Sequence, residues 1–159
     1  MIKRYGFISL RYIVTVCILI YLILTALFAG GSTRSFDEVA AAMDAALQES
    51  SLKPVDDLGF RRRYGYSVTD FEGVKLYANE FRLSADEILL VKANSFEQLA
   101  EFRAVLEARL QTRQQDFEGF STEQAYAIEQ AILTIRGLYL FLGIGPYAED
   151  MNQVFLQSL

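Results

Sequence analysis

The sequence predicts an α+β fold in which a small antiparallel sheet of about three strands packs against helices on one face, preceded by one N-terminal transmembrane helix. Three observations predict this class. Residues 12–30 form an apolar run without a charge. Farther along, short apolar runs typical of strands alternate with longer segments whose apolar residues recur every three or four positions. Several of these longer segments begin with a serine that suits a helix N-cap.

The apolar run is long enough to cross the membrane once. At 1.5 Å per residue, a helix over residues 12–30 just spans a hydrocarbon core of about 30 Å. The basic residues Lys3, Arg4 and Arg11 precede it, which predicts a cytoplasmic N-terminus. A cleavable signal peptide is the alternative, because residues 26–31 partly match a cleavage site. We expect a signal anchor, and the predicted divisions are a cytoplasmic segment 1–11, a transmembrane segment 12–30, a spacer 31–34 and an extracytoplasmic domain 35–159.

Composition excludes several classes of function. Three of the 15 basic residues precede the apolar run, which leaves 12 against all 20 acidic residues, a net charge of −8 for the exported part. Such a charge argues against nucleic acid as a partner. The chain has no His, which excludes Ser-His-Asp triads and His-bearing metal sites. Its single Cys, Cys17, lies in the apolar run and permits no intramolecular disulfide.

The first part of the domain predicts one helix followed by a strand or an extended edge. Ser35 and Glu38 form a capping box for a helix that ends near Ser50, before Lys53-Pro54. Over residues 60–68 one alternating set is large and the other is polar or small, which suggests a strand or an extended edge; the large set is Phe60, Arg62, Tyr64, Tyr66 and Val68.

The second half predicts a hairpin, two helices, a buried strand and a last helix. Residues 74–81 and 87–93 read as paired strands, and the continuous apolar run at 88–91 indicates that the second is central. A long helix follows from Ser95 to Gly119. A further helix begins after Ser121 and buries Ile128, Ile132 and Ile135 before ending at Gly137. Residues 138–142 read as a third strand, and Gly145-Pro146 opens the last helix.

From Ser84 onward the chain resembles the family DUF4358, a domain of unknown function found in exported or membrane-anchored proteins of Gram-positive bacteria. The resemblance rests on a series of short segments in a fixed order: residues 85–88 running into an apolar strand that ends at Lys92, residues 114–117, residues 120–125, and residues 137–140. It implies no catalytic residue and no cofactor. Many members resemble lipoproteins, but this chain lacks a Cys at the end of its apolar run, so a transmembrane anchor would replace the lipid.

Two clusters are candidates for an interaction surface. Arg61, Arg62 and Arg63 form the one basic run of an acidic domain, and on a strand Arg61 and Arg63 would lie on one side and Arg62 on the other. This run would contact lipid headgroups or anionic polymers, or it would only protect a sheet edge from pairing. Asp86 and Glu87 are adjacent carboxylates, but neighbours on a strand point to opposite faces and share an ion poorly.

The sequence predicts no catalytic, cofactor-binding or metal-binding residue. We therefore expect a non-enzymatic accessory module, anchored in the cell membrane, that binds another envelope protein or an anionic envelope polymer at the outer face. The alternative is a carboxylate-dependent hydrolase or transferase of the envelope. It would require two or more acids converging in one cleft, which a sequence cannot reveal.

Overall fold

The computed structural model describes residues 12, 14–22, 34–81 and 83–159, and the fold described here is that of the unit Ser32–Leu159. Its helices are α1 Phe36–Ala46, α2 Asp57–Tyr64, α3 Phe96–Glu118, α4 Thr122–Glu129 and α5 Ala148–Ser158. Its strands are β1 Lys53–Pro54, β2 Gly73–Ala78, β3 Glu87–Lys92, β4 Ile132–Arg136 and β5 Tyr139–Ile144. A short 3-10 helix, Val68–Asp70, precedes β2.

The strands form one antiparallel sheet in the order β1-β2-β3-β5-β4. The predicted α+β class is confirmed, and β3 occupies the centre as expected. Its Leu89 pairs with Leu76 of β2 on one side and with Leu142 of β5 on the other. The sheet has five strands rather than the predicted three; β1 and β4 are the two additional strands.

Helices cover both faces of the sheet, so the expectation of one covered face was wrong. Leu89 and Val91 of β3 pack with residues of α2, α3 and α4, whereas Ile88 and Leu90 pack with residues of α1 and α5. All four side chains are fully buried. Successive strand residues point to opposite faces, so an unbroken apolar run demands cover on each side. The apolar run at 88–91 is therefore typical of a sheet that lies between two layers of helices.

Residues 57–64 form a helix, which corrects the predicted strand over 60–68. The Asp56 side chain accepts a hydrogen bond from the Gly59 amide at 2.8 Å and caps the first turn. Gly65 ends the helix in the left-handed conformation, with φ of 80°. Phe60 and Tyr64 are both buried, and their spacing of four residues fits one helix face as well as it fits alternation.

Residues 132–136 form an edge strand, which corrects the second half of the predicted helix after Ser121. The helix α4 ends at Glu129. Gly137, with φ of 57°, does not cap a helix but begins the two-residue loop that joins β4 to β5. Ile132 and Ile135 are β-branched and half-buried, as suits a strand with one neighbour.

The remaining elements agree with expectation apart from their bounds. The predicted caps Ser35, Ser95 and Ser121 each accept a hydrogen bond from the third residue of their helix. The first helix ends at Ala46, and the predicted stop at Lys53-Pro54 is the short strand β1. Within the predicted membrane segment 12–30, only Tyr12 and residues 14–22 are described, and these are helical. In the described part of the chain, no helix has both the length and the apolarity needed to cross a membrane.

Candidate functional site

A fully buried carboxylate lies at the start of the central strand. Glu87 is the first residue of β3, and its side chain is 0% exposed. Its Oε1 accepts a hydrogen bond from the Tyr64 hydroxyl, and its Oε2 accepts one from Arg63 Nη1 at 2.7 Å. Arg109 binds both oxygens of the carboxylate: its Nη1 donates to Oε1 and its Nη2 to Oε2, each at 3.2 Å. Burying a carboxylate costs several kcal/mol unless such partners compensate it.

Two helices supply the arginines. Arg63 comes from the last turn of α2, while Arg109 and Arg113 lie four residues apart on α3 and therefore on one face of it. Arg113 Nη1 lies 3.6 Å from Oε2 of Glu87, and its Nη2 donates to the Ser84 carbonyl oxygen at 3.3 Å. Three guanidinium groups thus lie within ion-pair distance of a single carboxylate.

The cluster around Glu87 carries more positive than negative charge. Burial, and next the positive charge of Arg109, lower the pKa of Arg113, although Glu87 opposes this. Burial, and next the negative charge of Glu87, raise the pKa of Tyr64 well above its ordinary value, so the phenol remains a hydrogen-bond donor. One negative charge faces three positive ones, and the guanidinium groups of Arg109 and Arg113 repel each other.

The arginines open onto a cleft of about 440 Å³. Arg109 and Arg113 have side chains only 13% and 19% exposed, so their charges lie partly out of water. Arg62 is exposed at the same cleft, and among the described residues its side chain makes no hydrogen bond or ion pair. The lining residues are Arg62, Arg63, Asn79, Glu80, Phe81, Ser84, Arg109 and Arg113.

The structure brings together only some of the residues that the sequence singled out. Arg62, Arg63 and Glu87 meet at the cleft, whereas Arg61 lies outside its lining and pairs with Asp57 at 3.8 Å. The expected grouping of Arg61 with Arg63 was wrong, because the run lies on a helix instead of a strand.

Asp86 belongs to a different part of the surface. It lines a separate cavity of about 420 Å³ together with Gln124 and Gly145, so it does not share a site with Glu87. In the described ranges, no group of three or more acidic or Cys side chains is arranged to hold a metal ion.

Sequence reasoning did not identify Tyr64, Arg109 and Arg113 as partners of Glu87. Tyr64 lies in the segment whose alternation suggests a strand, and Arg109 and Arg113 lie off the apolar stripe of the long helix. The available signal was the spacing of four between Arg109 and Arg113, combined with an acid that begins an otherwise apolar central strand.

No curated protein and no solved structure matches this chain. A family model described as a domain of unknown function, DUF4358, matches residues 45–145. This range begins well before Ser84, where the sequence resemblance started, and it contains α2, α3 and all members of the Glu87 cluster. Because the match covers more than half of the chain, the protein belongs to the DUF4358 family.

Proposed function

We propose that this protein is a membrane-anchored, extracytoplasmic module of the cell envelope that binds an anionic group in the arginine cleft and catalyses no reaction. One observation carries the proposal: three guanidinium groups converge on a single buried carboxylate at the wall of an open cleft. A cluster built only for stability would need fewer cations, because one bidentate arginine already neutralises Glu87.

The excess charge favours an anionic ligand. Both terminal nitrogens of Arg109 donate to Glu87. Arg113 has only a longer ion pair with Glu87, at 3.6 Å, and the Arg62 side chain has no ion pair among the described residues. Guanidinium groups bind phosphate and carboxylate oxygens through planar pairs of N–H donors. In a partly desolvated cleft each such charge-assisted bond is stronger than on an open surface. A phosphate or carboxylate between Arg62 and Arg113 would relieve the repulsion between the arginines.

A carboxylate-dependent hydrolase or transferase is the less favoured alternative. Such an enzyme needs acids that converge and exchange a proton with substrate. At this cleft both carboxylate oxygens of Glu87 already accept hydrogen bonds, from Tyr64, Arg63 and Arg109. Glu80 is exposed and has no described acidic partner at the cleft.

The location at the outer face rests on the sequence of the N-terminal segment. Residues 12–30 carry no charge and follow three basic residues. Protease treatment of intact spheroplasts tests this location. We expect the domain from residue 35 onward to be digested, while a cytoplasmic marker survives. Protection of the domain until the membrane is permeabilised would overturn the proposed topology.

Titration of the full-length chain with phosphate tests the binding function. In neutral detergent at constant ionic strength, phosphate is expected to raise the thermal midpoint more than chloride does. Loss of one charge-assisted contact in Arg113→Gln is expected to weaken phosphate binding about tenfold, and Arg62→Gln several-fold. Arg61→Gln is the matched control for Arg62→Gln, because Arg61 lies on the same helix, α2, carries the same charge and is outside the lining of the cleft. Equal effects of Arg61→Gln and Arg62→Gln, or no difference between phosphate and chloride, would overturn the proposal.

A further inference from the structure

Two large apolar side chains lie exposed in the loop that borders the arginine cleft. This loop, residues 79–86, joins β2 to β3. Phe81 is 77% exposed and lines the cleft, and Leu83 is 63% exposed. Arg82 stands between them in the sequence and lies outside the described residues. Single exposed apolar residues are ordinary, but two on one loop beside a cationic cleft form a combined apolar and basic surface.

We infer that the anionic group is the phosphodiester of an anionic lipid headgroup, and that Phe81 and Leu83 enter the bilayer beside it. The inference rests on the proposed function, because the headgroup phosphate occupies the arginine cleft. A soluble anion would use only the arginines and would leave both apolar side chains in water. A lipid surface uses both parts, since peripheral membrane contacts combine buried apolar side chains with basic residues at the headgroups.

The charge of the remaining domain makes this contact directional. The part of the chain after Arg11 carries 12 basic and 20 acidic residues, so an anionic surface repels most of it. An anionic surface attracts only a region in which cations outnumber acids. The cleft is such a region, because four arginines lie there with two acids, the exposed Glu80 and the ion-paired Glu87. The domain would therefore lie on an anionic bilayer with the loop 79–86 towards the lipid.

The chain has no Trp, so a single substitution provides a reporter of insertion. Phe81→Trp places the indole at the proposed contact. Phe120→Trp is the matched control, because Phe120 is also exposed, at 65%, but does not line the cleft. Each full-length variant is incorporated into nanodiscs of phosphatidylcholine with brominated acyl chains, with or without phosphatidylglycerol. The control measures any quenching that results from tethering alone.

We expect the emission of Phe81→Trp to shift to shorter wavelength and to be quenched at least twofold more when phosphatidylglycerol is present. The emission of Phe120→Trp should not depend on the lipid. Adding Arg62→Gln to Phe81→Trp should abolish the dependence on phosphatidylglycerol. Equal quenching of the two reporters, or quenching of Phe81→Trp that ignores both the lipid and Arg62, would overturn the inference.

The phosphate titration in detergent separates failure of this inference from failure of the proposed function. If phosphate binds through Arg62 and Arg113 while Phe81→Trp remains unquenched, the ligand is a soluble anion and the lipid inference is wrong. If neither phosphate nor the lipid has an effect, both proposals are wrong. If only the lipid acts, the cleft does not bind a phosphate group, so both the proposed function and the inference are wrong and the contact with the bilayer has another cause.

Discussion

Tyr64 donates its hydroxyl hydrogen to Oε1 of Glu87, which joins the last residue of α2 to the first residue of the central strand β3. A helix of eight residues is not stable by itself in water, so α2 depends on such tertiary contacts. The Tyr64 ring also lies under the Arg109 guanidinium, 4.6 Å from its centroid. One side chain therefore orders both the buried carboxylate and an arginine of the cleft.

Replacing Tyr64 with Phe should destabilise the domain and leave its core packing intact. The substitution removes a hydrogen bond to a buried charge, which is worth about 2 kcal/mol. Tyr66→Phe is the control, because Tyr66 packs against Phe71 and Phe102 and its hydroxyl has no described partner. It should change the free energy of unfolding by less than about 0.5 kcal/mol. Urea unfolding of both variants measures the difference, and equal midpoints would show that the Tyr64 bond contributes nothing.

Replacing Glu87 with Gln should have the largest effect of any single charge change at the cleft. The variant leaves three guanidinium groups without an opposing charge, and breaking a buried ion pair costs about 3–5 kcal/mol. We expect about 3 kcal/mol, since the arginines keep some contact with water. Glu80→Gln removes the same charge from the exposed rim and should cost less than about 0.5 kcal/mol. Thermal unfolding tests both variants, and a small effect of Glu87→Gln would show that the arginines are held by other contacts.

The sequence predicted the elements whose pattern is local and unambiguous. The helix α3 has a Ser95 cap and a long apolar stripe, and the hairpin of β2 and β3 has two apolar runs close together. Residues 57–64 and 132–136 were assigned wrongly because a few apolar residues fit a helix and a strand equally well. Tertiary contacts decide between the two: Tyr64 reaches Glu87, and β4 pairs with β5 along its whole length.

The candidate site was predictable only in its parts. Arg62, Arg63 and Glu87 were singled out because they are unusual for their surroundings, namely cations in an acidic domain and an acid before an apolar run. Their association depends on α2 and α3 packing on the same face of the sheet, which no local pattern contains. Arg109 and Arg113 gain their role only from that packing.

The stability of the region after α2 should depend on pH through Asp57. Its Oδ1 accepts hydrogen bonds from the Val68 amide at 2.8 Å and the Ser67 hydroxyl at 2.9 Å. The backbone bond first, and then the Ser67 bond, hold the pKa of Asp57 below its ordinary value of 3.8. A lowered pKa means that the stabilisation is present above about pH 3.8 and is lost as pH falls through the folded-state value.

Asp57→Asn should therefore lower the urea midpoint at pH 7, and its difference from the native protein should shrink as the pH falls below 3.8. Glu101→Gln provides the control, since Glu101 is exposed on α3 and its side chain makes no described hydrogen bond. Its midpoint should follow the native protein at every pH. A difference for Asp57→Asn that is the same at pH 7 and at low pH would show that the carboxylate charge is not involved.

The edge strand β4 depends on Gly137, whose φ of 57° lies in the left-handed region. Gly137→Ala should destabilise the domain by about 1 kcal/mol, because an L side chain adopts this conformation at a cost. Gly119→Ala is the matched control: Gly119 has φ of −84°, and a Cβ there would meet no atom within 4 Å. Gly119→Ala should stabilise the domain by roughly 0.4 kcal/mol, because alanine restricts the unfolded chain more than glycine does. Hydrogen exchange at the β4 amides locates the effect, and faster exchange in Gly137→Ala alone is expected. If both variants behaved alike, Gly137 would not be in a left-handed turn, and residues 132–137 would be better described by the helix that their apolar spacing suggested.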